Sequence, residues 1–262
     1  MLLAIDVSNT NIKVGLYNNV EVQRRWVVST ARQRTTDEYA MVLSDLLRHS
    51  GYQFADIDDI MLSSVVPPLT PVFQELATNY CNKEAIILDH TLDLGIKLLV
   101  DNPWEVGADR IVTSLAAHRL YGGPAIIIAF STATTFDVIS AEGDFLGGAI
   151  APGLVISAEA LSEAASRLFR VDLVPPRAVL GKNTIENIQS GLIYGHVGLV
   201  EGLLHRLRKE IPGVTAESEV KVIAHGGLAQ LMAPIIPDIQ HVNQYLPLEG
   251  LRLAYQRIKE RA

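Results

Sequence analysis

A single cysteine, Cys81, stands among the 262 residues. No internal disulfide framework and no cysteine-rich zinc site can be built from it. A lone thiol reads as an inert, semi-buried side chain in keeping with a reducing cytoplasm. Long apolar runs are also missing: the run over 124–130 is only strand-length, far short of the roughly 18 residues a membrane helix needs. The N-terminus reaches Asp6 too early for the apolar region of a signal peptide. Positive charge is in deficit, with 22 Lys and Arg against 29 Asp and Glu, a net charge of −7. That balance argues against a general surface for nucleic acid or anionic membrane. Two common nucleotide signatures fail as well. There is no G-x-x-x-x-G-K-[ST], and Gly195 to Gly198 lacks the G-x-G-x-x-G spacing. The 7 histidines form no H-E-x-x-H or Cys/His ligand pattern, so His196 and His225 read as local hydrogen-bonding residues.

What is present is the composition of a folded chain, 48% hydrophobic and 19% charged. The length allows one large domain or two small ones. Laying the start beside the middle favours two. Residues 2–6 form an apolar run that enters the polar cluster Ser8–Asn9–Thr10–Asn11. Strands are expected over 12–17 and 20–28, with Asn18–Asn19 as the turn. The pattern recurs from Ala125: an apolar run over 125–130, the cluster 131–135, and strands over 136–140 and 145–150. Asp6 corresponds to Ala129, an offset of 129 − 6 = 123 residues, which suits a duplicated domain better than a short repeat. Helices are expected over 154–169, 188–209 and 248–259, and at the stripe Tyr39, Val42, Leu43, Leu46, Leu47 with Thr36 as N-cap. The expected fold is α/β: two duplicated units, 1–115 and 116–262, each a mixed sheet with helices packed on it. The last helix is expected to be able to pack back on the first unit.

Three segments carry candidate chemistry. Asp6 to Asn11 places a carboxylate beside exposed amides and hydroxyls at a strand end. Such a turn can cradle phosphate through backbone N–H groups and hold Mg²⁺ through water, or it is an ordinary hairpin turn. In Asp101 to Arg110, Pro103 and Gly107 shape a loop that delivers Asp109 and Arg110 to a helix start. Asp109 could accept the proton of an attacking hydroxyl and Arg110 could fork onto a carboxylate, or the pair only caps the helix. The third segment, Ser131–Thr132–Thr134–Thr135 with Gly147–Gly148 and Asn183–Thr184, offers hydroxyls for phosphate or substrate.

Taken together, the segments resemble one family. The duplicated strand–turn–strand opening is similar to the actin-like ATPase superfamily, which binds ATP between two RNase H-like domains. More narrowly, DVSNTN at Asp6, DNPWEVGADR at Asp101 and STATTFDV at Ser131 resemble type III pantothenate kinases. So do GGAIAPGL at Gly147, NT…QSGLIYG over 183–195 and GGLA at Gly226. The resemblance implies ATP-dependent phosphorylation of the primary hydroxyl of pantothenate, the first step of coenzyme A synthesis. It implies that Asp6, Val7, Ser8, Asn9, Thr10, Asn11, Ile12 and Lys13 form a phosphate loop, with Asp6 toward Mg²⁺–ATP and Thr132 on an ATP phosphate. Val100, Gly107, Ala108, Asp109, Arg110 and Thr184 would contact pantothenate, Asp109 as general base. A cytoplasmic homodimer with substrate near the interface is implied too, as is a monovalent cation, K⁺ or NH₄⁺.

Five positions depart from the family pattern. Ser8 and Ser131 replace glycines, Ala129 replaces the aspartate of the cation position, Val100 replaces a tyrosine and His225 a threonine. Two readings follow: an active kinase with altered cation use, or a catalytically impaired relative that binds ligand or regulates.

Overall fold

Each half of the chain opens on a strand that becomes the middle of a five-stranded sheet. The computed structural model describes residues 1–215 and 217–261. Its elements run β1 (Leu2–Val7), β2 (Asn11–Asn18), β3 (Glu21–Ser29), α1 (Thr36–His49), β4 (Asp59–Ser64), α2 (Thr70–Cys81), β5 (Ala85–Ile87) and α3 (Ala108–Tyr121). Then follow β6 (Ala125–Phe130), β7 (Ala133–Ile139), β8 (Phe145–Pro152), α4 (Leu154–Ala164), α5 (Thr184–Arg208), β9 (Lys221–His225), α6 (Ala229–Met232), β10 (His241–Val242) and α7 (Leu246–Lys259). The chain divides into two units, Met1–Ala116 with Tyr245–Ala262, and Ala117–Gln244.

The first sheet has the order β3-β2-β1-β4-β5 and the second β10-β9-β6-β7-β8. Read from the hairpin edge, the two orders are the same. In each, the central strand is antiparallel to its hairpin partner and parallel to the strand that returns after the crossover helices. The duplication seen in the sequence is therefore a duplication of topology, and the offset of 129 − 6 = 123 carries β1 onto β6 end to end. All six residues of β1 and all six of β6 are buried. A strand covered on both faces has no use for alternation, which is why both read as continuous apolar runs.

The two faces of the first sheet bury different partners. Leu3, Ile5 and Val7 pack with Tyr39 and Leu43 of α1 and with Phe73 and Leu76 of α2. Leu2 and Ala4 point the other way, into a core with Ile111, Val112 and Leu115 of α3 and Leu248 and Leu251 of α7. Side-chain period two puts Asp6 on this second face. The second unit has one large core, built on Ile126, Ile128 and Phe130 with Ile193, Val200 and Leu204 of α5.

Several boundaries differ from expectation for local reasons. The N-cap of α1 is Thr35, not Thr36, because Thr35 and Glu38 bond reciprocally as a capping box. The helix expected over 154–169 ends at Ala164, where Ala165 turns extended (φ −105°, ψ 107°), and residues 165–183 hold no helix or strand. The next helix begins earlier than Ile188, at Thr184, because the Asn183 side chain accepts from the Glu186 N–H at 2.9 Å. The two-residue β10 was not expected; it is too short to leave an apolar signature.

In the first unit, α7 lies tightly on α3. A Cβ on Gly250 would sit 2.0 Å from the backbone oxygen of Val112. Glu249 fixes the same helix to the hairpin, accepting from Arg25 at 2.5 Å and from the Tyr17 hydroxyl at 3.3 Å. Gly250→Ala is expected to lower stability by about 2 kcal/mol or more, as overpacking against backbone does, a loss of several degrees in a thermal melt. An unchanged melting temperature would show that the helix contact is not tight.

Candidate active site

Asp6 is the last but one residue of β1, paired with Lys13 on β2 and with Ser63 on β4. It is 1% exposed. Its Oδ2 accepts from the Ser8 hydroxyl at 3.3 Å, whereas Oδ1 has no hydrogen-bond partner among the described residues. A carboxylate removed from water prefers its proton. Burial accordingly pushes the Asp6 pKa up to about 6, with Lys13 opposing the rise and Asp109 adding to it.

Asp109 reaches the same place from the other side of the core. Gly107 precedes α3, and Ala108, Asp109 and Arg110 are its first three residues. The loop–helix junction expected from the sequence is thus present. Asp109 Oδ1 accepts from the Arg110 N–H at 2.9 Å. A Cβ on Gly107 would come within 2.6 Å of that oxygen, so this position has room for a hydrogen only. Burial raises the Asp109 pKa, while the Arg110 N–H and guanidinium and the Lys13 ammonium pull it down. Burial lowers that of Lys13, against the pull of both carboxylates. Two carboxylates and one ammonium therefore feel one another within the first unit. No pattern in the sequence pairs Asp6 with Asp109, since 103 residues (109 − 6) separate them.

The turn after β1 is closed by the Ser8 N–H donating to the Asn11 carbonyl at 3.1 Å, with Asn9 and Thr10 exposed at its tip. Thr30 donates to the Ser8 carbonyl at 2.6 Å and Arg32 to Asn9 Oδ1 at 2.8 Å, which hold the turn from β3 and the segment after it. Val7 and Ile12 are buried at its base. Ser8 is not in the left-handed region, and neither is Ser131 in the matching turn. Serine is therefore accommodated in both backbones without strain.

The second unit holds the remaining candidates. Thr132 is exposed in the turn between β6 and β7, where the Ser131 N–H donates to the Ala133 carbonyl at 3.1 Å. Thr134 is buried and bonded to His196 Nε2 at 2.9 Å, so His196 has the local role expected of it. Ala129 is flanked in register by Thr135 and His225. Thr184 is exposed at the start of α5 and lines a cavity of about 530 Å³ with Ser157, Leu161, Asn187 and Ile188. Val100 is half-buried in the irregular stretch ahead of Asp101. Among the described residues no cluster of three or more His, Cys, Asp or Glu side chains could hold a metal.

The chain is similar to known proteins in sequence and in fold. A family model described as type III pantothenate kinase matches residues 2–206. A type III pantothenate kinase of Roseiflexus sp. (strain RS-1) is 49% identical over 256 residues, 98% of each chain. That of Geobacter sulfurreducens is 45% identical, covering 99% of this chain and 100% of the relative. Solved structures share the fold at low identity. The activator of 2-hydroxyisocaproyl-CoA dehydratase from Clostridium difficile, solved with bound ADPNP, aligns with TM-score 0.59 at 15% identity over 99% of this chain and 96% of that one. Component A of (R)-2-hydroxyglutaryl-CoA dehydratase from Acidaminococcus fermentans gives TM-score 0.59 at 14% identity, over 98% of each.

A buried carboxylate with a raised pKa lowers stability wherever it is ionised in the folded chain. The penalty is present above about pH 6 and vanishes as pH falls toward the ordinary value of 3.8. Asp6→Asn is expected to melt above wild type at pH 7.5, by a gain on the order of 1–3 kcal/mol, and the gap should narrow to about a third by pH 4.5 and close only below the ordinary value of 3.8. Equal melting temperatures at pH 7.5 would refute the burial cost.

Proposed function

The chain belongs to the type III pantothenate kinase family, transferases that pass a phosphoryl group from ATP to pantothenate, and from that premise we propose the residues that perform the transfer. Its fold is the duplicated RNase H-like arrangement of actin-like ATPases. No comparison supports the alternative of a non-catalytic relative.

Asp109 is the general base. What carries this reading is the placement of Asp109 in the first turn of α3, close enough to the buried Asp6 for the two charges to act on each other. A carboxylate whose pKa is raised accepts a proton more readily, and Asp109 is held by one N–H and cleared by Gly107. It takes the proton of the pantothenate hydroxyl as that oxygen attacks the γ-phosphorus, and the bond to ADP breaks with its electrons leaving on ADP. Phosphoryl transfer asks the protein for position and charge more than covalent chemistry. The loop from Asp6 to Lys13, with Val7, Ser8, Asn9, Thr10, Asn11 and Ile12, and Thr132 in the second unit, hold ATP phosphates. Val100, Gly107, Ala108, Arg110 and Thr184 hold pantothenate, Arg110 through the carboxylate.

Mg²⁺ fits the residues present. Asp6 Oδ1 is buried without a partner, and one carboxylate plus phosphate oxygens is a donor set that magnesium accepts. Bound there, it would neutralise phosphate charge. A monovalent cation does not fit at Ala129, which offers a methyl group between Thr135 and His225. Asp137, one pleat further along the strand, is buried and already engaged.

We place the enzyme in the cytoplasm, in line with its lone buried cysteine; none of the described helices is long and apolar enough to cross a membrane. We read the domains as 1–115 and 116–262, with α7 packing back on the first, a reading supported by the compact units Met1–Ala116 with Tyr245–Ala262 and Ala117–Gln244. Val155, Ile156 and Leu161 on α4, with Ile185 on α5, are exposed apolar residues that suit a homodimer contact. Light scattering is expected to give twice the chain mass, and a monomer would refute it.

Asp109→Asn is expected to reduce kcat by about 10²–10⁴ with KM for ATP nearly unchanged, in a coupled assay of ADP release. Gly107→Ala moves the same oxygen without deleting it, so turnover should fall while the melting temperature shifts little. Wild-type turnover in Asp109→Asn would remove it from the base role.

A further inference from the structure

The two sheets present the same three register positions with different chemistry. Around the central strand, the first unit has Asp6, Lys13 and Ser63. The second has Ala129, Thr135 and His225. Residues directly opposite on neighbouring strands hold their Cβ atoms about 5 Å apart and share a face. The first trio thus carries a carboxylate beside an ammonium. At the matching three positions, the second has neither carboxylate nor ammonium.

Lys13 is partly buried, yet its ammonium makes no hydrogen bond or ion pair with any described residue. It acts on Asp6 and Asp109 only through space. An ammonium drawn out of water without a contact partner is costly, and an arriving anion relieves that cost. Across the ladder it faces Asp6, one oxygen of which lacks a partner. A phosphate brought there by ATP would meet a positive charge already in place.

We propose that Lys13 is the built-in cation of this transfer, and that the chain therefore turns over without any monovalent cation. The proposal rests on the kinase reading above. A tethered ammonium has the charge of K⁺ and needs no ligand set, so it is present at every salt concentration. It balances the two carboxylates, lets both approach a triphosphate, and donates hydrogen bonds to the group in transit while keeping its own protons. Lys13 is a positioning and charge-supplying residue; the proton still goes to Asp109 and the leaving electrons to ADP.

The test measures initial rates of ADP release from ATP, Mg²⁺ and pantothenate at constant ionic strength. K⁺, Na⁺, NH₄⁺ or tetramethylammonium serves in turn as the sole monovalent cation. Rates within about two-fold across the series are expected. Lys13→Met should lose on the order of 10² in kcat with KM for pantothenate little changed, and Lys13→Arg should recover a substantial part. Lys13→Ala should regain rate saturably with added methylammonium. A wild-type rate at least ten-fold higher in K⁺ than in tetramethylammonium overturns the proposal. So does a folded Lys13→Met with wild-type kcat. Should the variants fail to fold, the cation series on the unaltered chain decides alone. Absence of ADP release with every cation would instead sink the kinase reading, and the proposal with it.

Discussion

The constraint on which the rest depends is a carboxylate placed on the most buried strand of a sheet. Asp6 follows four apolar residues on β1 and is itself 1% exposed. Nothing about hydrophobic burial favours it there. It is tolerated because three things converge on its face: the Ser8 hydroxyl, the charge of Lys13 across the β1–β2 ladder, and the open end of the sheet beside the turn. The strand sets the position of the carboxylate with backbone precision, since β1 is bonded on both sides. A group held by two ladders does not wander, which is what phosphoryl transfer demands of the atoms around it.

The same arrangement explains why only one of the two duplicated sheets carries this chemistry. β1 and β6 are topologically equivalent, and their hairpins end in turns of the same kind. At the equivalent of Asp6 stands Ala129, so that register position carries no charge in the second unit, whose turn presents exposed hydroxyls, Thr132 among them. Duplication supplied two scaffolds, and the residues at a few register positions separate their roles. The electrostatics agree with the acidic composition: captured anions must be met by local features, because the chain as a whole carries −7.

Much of this was legible in the sequence. The 129 − 6 = 123 offset located β6 to the residue and β1 to within one, since a doubly covered strand writes itself as a nearly unbroken apolar run. GADR was readable as a helix start because Gly107 and Asp109 are helix-boundary residues. Other features were not. The proximity of Asp6 to Asp109 depends on α3 packing on the same face as Leu2 and Ala4, a tertiary fact. The early end of α4 was hidden because Leu161 and Leu168 keep helical spacing across the point where the chain leaves the helix, with no proline or glycine between them to mark it. The distinct place of Lys13 was hidden too. In sequence it is one polar residue in an alternating strand, and only the register shows that it faces Asp6.

One feature of the connectivity bears on how the chain is made. The first unit consists of 1–116 together with 245–262, so its core is completed by a helix that the ribosome synthesises after the whole second unit. Leu248 and Leu251 cover the face of β1 that carries Asp6. While the second unit can condense as soon as β10 emerges, the half with Asp6 and Asp109 waits with one side of its sheet bare. The face of β1 that carries Asp6 is therefore the later of the two to be covered, once α7 has emerged.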